Sequence, residues 1–179
     1  MSEEDIHRSE LRWGAIAAFA VGIMIAVIVV SSFAMAIHPP SHVEAIDPTT
    51  LNTNVEFAEC NLGTRVNPDG SVTVRIIATQ FEFLPRCIPV PKGQQVTFRV
   101  TSPDVIHGFF IAGSNANTMV VPGYVAQLRT VFSTAGNYLM PCHEFCGLGH
   151  SEMWALVKVL EGAQWKTDAS GKASCEIPR

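Results

Sequence analysis

The sequence predicts an all-β domain, a two-sheet sandwich or Greek-key barrel, carried behind one N-terminal membrane-spanning helix. Three observations predict it. Residues 13–37 hold no charge, and from Ser71 onward short β-branched and aromatic runs are divided by turn residues. Within residues 95–100, Val96, Phe98 and Val100 alternate with Gln95, Thr97 and Arg99, the period of a strand with one buried face.

Length and charge set the limits. The 179 residues fit one globular domain plus an anchor. The formal net charge is −4. Four of the 16 acids and two of the 12 bases precede the apolar run, which leaves 12 acids against 10 bases, a charge of −2, from His38 onward. Nucleic-acid binding needs a basic surface, so that class of partner is excluded.

The first element is the anchor. The 25 uncharged residues 13–37 reach roughly 37 Å as a helix, enough to cross a bilayer with some tilt. Arg8 and Arg12 lie just before this run, and the next Lys or Arg after it is Arg65. The positive-inside bias therefore puts residues 1–12 in the cytoplasm and the rest outside a bacterial-type cell membrane, in the periplasm or extracellular space. Ala34-Met35-Ala36 has the form of a signal cleavage site, but the apolar run exceeds the 7 to 15 residues or so of a signal core, which favours a retained anchor.

Residues 38–70 read as a linker and insert, because Pro39, Pro40 and Pro48 oppose both helix continuation and strand pairing. The β domain follows at residues 71–161. Its runs SVTVRIIAT, QFEF, QQVTFRVTS, HGFFIAG, YVAQLRTVFS, GNYLMPC and MWALVKVLE are punctuated by turns at Asn67-Pro-Asp-Gly70, Pro91-Lys-Gly93, Val121-Pro-Gly123 and Ala135-Gly-Asn137. About seven strands at this spacing suit a sandwich or Greek-key barrel. Residues 162–179 lack a clear period and read as a tail tied down by Cys175. Cys60, Cys87 and Cys175 allow one internal disulfide, with the pair left open.

The chemistry is concentrated in residues 141–153, PCHEFCGLGHSEM, which bring Cys142, Cys146, His150 and Met153 within 12 residues, with His107 upstream. Soft sulfur and imidazole ligands favour copper. Cys146, His150, Met153 and His107 alone would suffice for a mononuclear blue-copper site. Cys142 adds a second thiolate able to bridge two coppers, with one histidine on each, Met153 axial to one and a main-chain oxygen of the intervening loop, for example that of Glu144, axial to the other. Two thiolates against one Cu(I) and one Cu(II) leave +1, and reduction leaves zero, so one electron changes the buried charge little and reorganisation is small. The thiols lose their protons on coordination.

Other readings compete. A Cys142–Cys146 disulfide requires none of Met153, His150 and His107. A zinc site of two Cys and two His leaves Met153 without a role. His143 reads as a loop residue, and His7, His38 and His42 as solvated. Asp104 either orients His107 or starts the turn after Pro103, with the turn favoured. Phe81 and Phe83 read as core.

The segments SPDVIHGF (residues 102–109) and Cys142-x-Glu-x-Cys146-Gly-Leu-Gly-His150-x-x-Met153 resemble those of cytochrome c oxidase subunit II, the CuA subunit of haem-copper oxidases. The single anchor and short chain are most similar to the B-type branch. The resemblance covers the anchor and roughly residues 72–161; the segment 52–67 and Cys87 and Cys175 fall outside it. It implies a cupredoxin fold and a dinuclear CuA centre, with His107, Cys142, Cys146, His150 and Met153 as side-chain ligands and Glu144 as a main-chain ligand. It also implies a Mg or Mn ion at the Glu144 carboxylate, shared with subunit I. Electrons would come from cytochrome c and pass to haem in subunit I, where oxygen is reduced; Phe81 and Phe83 lie where such relatives often carry an aromatic patch that receives them. The rival class is a membrane-anchored, cupredoxin-like copper carrier or sensor, which would hold one colourless Cu(I).

Overall fold

The computed structural model describes residues 2–34 and 44–176. They form two separate units, an N-terminal helix and a β domain. Helix α1 spans Glu3–Ala34, starting ten residues ahead of the apolar run. Ser2 and Asp5 cap it reciprocally: the Ser2 backbone N–H donates to Asp5 Oδ2 at 3.1 Å and the Asp5 N–H donates to Ser2 Oγ at 3.3 Å. Glu3, Glu4 and Asp5 complement the positive end of its dipole. The helix is long and apolar enough to cross a membrane, and its large side chains, Trp13, Phe19, Ile25 and Phe33 among them, are exposed all round. Residues 35–37 of the expected span, His38, His42, the linker prolines Pro39 and Pro40 and most of the cleavage-like motif lie outside the described residues.

The β domain contains β1 (Gly63–Val66), β2 (Val72–Thr79), β3 (Glu82–Leu84), β4 (Cys87–Pro91), β5 (Gln95–Thr101) and β6 (His107–Phe110). These are followed by β7 (Asn117–Val120), β8 (Ala126–Val131), β9 (Gly136–Pro141), β10 (Trp154–Leu160) and β11 (Lys172–Ala173). One sheet runs β11-β1-β2-β5-β8, with β3 on β2; a second runs β4-β10-β9; β6 and β7 form a hairpin. Parallel pairs β2–β5 and β4–β10 interrupt an otherwise antiparallel pattern, which requires crossovers between sheets. Val74, Ile76 and Phe98 from the first sheet share one buried core with Ile88, Met140 and Val157 from the second. The alternation expected in β5 is present, with Val96, Phe98 and Val100 fully buried.

Regular structure begins earlier than the linker reading allowed. Strand β1 pairs along β2, and ahead of it Leu51, Phe57 and Leu62 pack against Ile77 and Val125 in a second small core. This explains why β2 is buried on both faces. Strand β4 also escaped the periodicity, since Pro89 and Pro91 argue against a strand. It lies at a sheet edge, and the Thr64 hydroxyl donates to the Pro89 carbonyl at 2.6 Å. The tail is tied down as expected: β11 pairs with β1, and Cys175 is disulfide-bonded to Cys87 across 88 residues. Cys60 is an exposed thiol.

Candidate metal centre

The hairpin loop between β9 and β10 carries most of the site. Its base is closed where the Cys142 N–H donates to the Met153 carbonyl at 2.9 Å, so the first and last of the expected ligands sit opposite each other. Strand β6 approaches from the side: the His143 N–H donates to the Gly108 carbonyl at 3.2 Å, and Phe109 bridges to Cys142. That contact brings His107, the first residue of β6, against the loop. Gly147 adopts φ +131°, a conformation that favours glycine, and lets the loop turn toward a short 3-10 helix that holds His150.

The donor atoms converge. The Cys142 and Cys146 sulfurs are 3.8 Å apart, both buried and not bonded to each other, which removes the disulfide reading. His107 Nδ1 lies 3.9 Å from the Cys142 sulfur, and His150 Nδ1 lies 3.7 Å from that of Cys146. Met153 Sδ is 3.7 Å from the Cys146 sulfur, and the Cys142 thiol meets the Glu144 main-chain oxygen at 3.2 Å. All six expected ligand positions are thus brought together. Two thiols, two imidazole Nδ1 atoms and a thioether around one point fit a soft, thiophilic metal.

Without a cation the Cys146 sulfur holds its proton: burial, and then the neighbouring Cys142, push this thiol up to about 11. A bound cation reverses that preference. A cleft of about 300 Å³, lined in part by Cys142, His150, Met153 and Trp154, opens the site to solvent.

Asp104 does more than start a turn. Its Oδ1 lies 2.9 Å from His107 Nε2, leaving Nδ1 to face the sulfurs. Burial pushes this carboxyl up, but hydrogen bonds from His107, Gln80, Val105 and Thr79 outweigh it and hold the group well below the usual carboxylate range. Phe83 is core as expected, whereas Phe81 is 38% exposed and lies against the glycines of the loop. His143 is exposed and stacks on Phe110 at 4.9 Å. The Glu144 side chain is exposed, and among the described residues the only cluster of three or more His, Cys, Asp or Glu ligand atoms is that of His107, Cys142 and Cys146. No such cluster of three or more among the described residues includes Glu144.

Residues 55–160, more than half the chain, match the family model of the periplasmic domain of cytochrome c oxidase subunit II. The chain belongs to the cytochrome c oxidase subunit II family. The match starts inside the segment 52–67, which the motif resemblance leaves out. A cytochrome c oxidase subunit 2 of Thermus thermophilus is 34% identical over 149 residues, covering 80% of this chain and 89% of that one. A second from the same species is 37% identical over 123 residues, covering 69% and 91%. Among solved structures, a chain in a cryo-EM structure of a heme-copper terminal oxidase dimer superposes with a TM-score of 0.69 at 28% identity, covering 85% of this chain and 99% of its own. As a subunit II, this protein is part of an oxidoreductase complex, and its fold is the expected all-β, cupredoxin-like sandwich with one N-terminal apolar helix.

Proposed function

We propose that this subunit II receives electrons from cytochrome c at a dinuclear copper centre and passes them to haem in subunit I, where oxygen is reduced. The observation that carries the reading is the pair of buried thiols 3.8 Å apart, each with its own histidine Nδ1 within 3.9 Å. One sulfur would serve a blue-copper site; two fit a bridged pair. Cys142, Cys146, His107, His150, Met153 and the Glu144 main-chain oxygen would hold the coppers. When bound, the copper pair supplies a one-electron couple whose charge alternates between +1 and zero. The chain's own part is to keep the donors fixed while the charge changes, to shield the sulfurs from water and to present a docking face.

That face is apolar. Phe145 is 78% exposed and Leu148 fully exposed on the metal loop, with Ile106 beside His107 and Phe81 against the loop glycines. On this reading α1 anchors the subunit in the cell membrane with residues 1–12 in the cytoplasm, since Arg8 and Arg12 precede the apolar run. The apolar part of α1 from Trp13 would span, and the copper domain would take in β1 and the insert packed on β2 as well as the later strands.

The test is copper quantitation and EPR on the full-length chain in detergent. Two coppers per chain and a seven-line hyperfine pattern are expected, and Cys142→Ser should hold one copper or none and stop electron uptake. A single colourless Cu(I) in the unaltered chain would instead support a copper carrier and overturn the proposal.

A further inference from the structure

Gln80 occupies the turn between β2 and β3, 66 residues before the metal loop, yet its side-chain Nε2 donates to the Cys146 carbonyl at 2.6 Å. Its own backbone N–H donates to Asp104 Oδ2 at 2.7 Å, beside the Thr79 hydroxyl on the same oxygen at 2.9 Å. The other oxygen of that carboxylate lies 2.9 Å from His107 Nε2. A short chain of hydrogen bonds therefore runs from His107 through Asp104 and Gln80 to Cys146, joining a candidate ligand on β6 to one in the metal loop.

The base and the middle of the metal loop are held differently. At the Cys142 end, main-chain bonds to Gly108 and Met153 secure it. Four residues further on, the described contacts to the first sheet come from the Gln80-Phe81 turn. A Cβ built on Gly149 would lie 2.6 Å from the Phe81 ring, and one on Gly147 would lie 3.0 Å from it and 3.0 Å from Gln80 Nε2. Both glycines let the turn lie close against the loop, with the ring packed over it and the amide bonded to its main chain.

We propose that Gln80 is a positioning residue for the copper loop: its amide fixes the main chain at Cys146, while its backbone is pinned to the carboxylate that orients His107. The proposal rests on the dinuclear reading given above. A neutral amide is the suitable group. A carboxylate here would repel the Cys146 carbonyl and Asp104, and an aliphatic side chain would leave the carbonyl without this donor. Gln80 does not touch the ligand atoms; it acts through the carbonyl of Cys146, and so on where that sulfur stands relative to His107. Outer contacts of this kind commonly change metal affinity by roughly 10- to 100-fold.

The test compares full-length chain and Gln80→Met in detergent, first without metal and then loaded. In the metal-free chain, amide hydrogens of residues 145–150 should exchange at least about tenfold faster in Gln80→Met, while those of β5 and β10 keep their rates. In the loaded chain, loss of copper to a chelator should quicken by roughly tenfold, and the EPR hyperfine pattern should broaden as the two metal environments become unequal. Equal loop exchange and equal copper retention in variant and unaltered chain would overturn the proposal. If Gln80→Met does not fold, Gln80→Asn, whose amide is one carbon too short to reach Cys146, carries the same comparison. Failure of the dinuclear reading shows separately, as one copper in the unaltered chain, whereas the metal-free exchange measurement addresses Gln80 alone.

Discussion

Gly108 has room for a hydrogen and little else. A Cβ at this position would lie 2.5 Å from the Glu144 main-chain nitrogen and 2.5 Å from the His143 carbonyl carbon, and backbone cannot swing aside as a flexible side chain can. That close approach is what seats β6, and with it His107, against the loop that carries both cysteines. Gly108→Ala should therefore cost about 1–3 kcal/mol, the range for overpacking a tight contact, measured as a shift in denaturant midpoint. It should also lower bound copper per chain, since His107 would be pushed from the sulfurs; unchanged metal content would show that β6 can retreat as a whole. The candidate ligands stood out in the sequence because the side chains of four of them fall within 12 residues and their chemistry is distinctive. Their supports were less legible: Asp104 offers either a hydrogen bond to His107 or a turn, with the turn favoured locally, and Gln80 has no signal at all, because its partners lie 24 and 66 residues away in sequence.

Among the elements, the insert ahead of β1 does what a linker would not. Phe57 is fully buried against the outer face of the first sheet, and beside it Glu56 receives Arg99 through both carboxylate oxygens and Arg75 at 3.2 Å. Arg99 also meets Glu44 at 2.6 Å, which ties the start of the domain to β5. Partial burial pushes the Glu56 carboxyl up, but Arg99 and Arg75 outweigh it and hold the group below its ordinary value. The folded pKa thus lies below an unfolded value of about 4.3, so the contribution is complete above that pH and is lost as pH falls through the folded pKa. Glu56→Gln should lower stability by about 1–2 kcal/mol at pH 7, less than for a fully buried pair because solvent reaches part of the carboxylate. The difference from the unaltered chain should shrink as the pH drops below about 4; a constant difference would mean that the substitution acts through packing. Sequence periodicity missed this element because its apolar residues, Leu51, Phe57 and Leu62, follow neither strand nor helix spacing. It missed β4 because two prolines are tolerated there at a sheet edge.

At the scale of the whole molecule, how the donor docks depends on whether charge or apolar area dominates the face around the metal loop. From His38 onward the chain carries 12 acids and 10 bases, a charge of only −2, too weak a field for strong steering of a charged partner. The loop meanwhile exposes Leu148 completely and Phe145 at 78%, apolar side chains suited to a contact. Turnover with a cytochrome c donor should accordingly change less than about threefold between low and physiological salt, where an electrostatically steered pair would slow far more. Leu148→Asp should raise KM roughly tenfold, the loss of about 1.4 kcal/mol expected from desolvating a carboxylate at a contact centre, while kcat, copper content and the EPR pattern stay as they were. A steep fall of turnover with salt, together with an unaltered KM in Leu148→Asp, would place docking on a charged surface elsewhere on the domain. In that case the exposed leucine and phenylalanine would belong to the contact with another subunit, and purified oxidase carrying Leu148→Asp should lose subunit II on gel filtration.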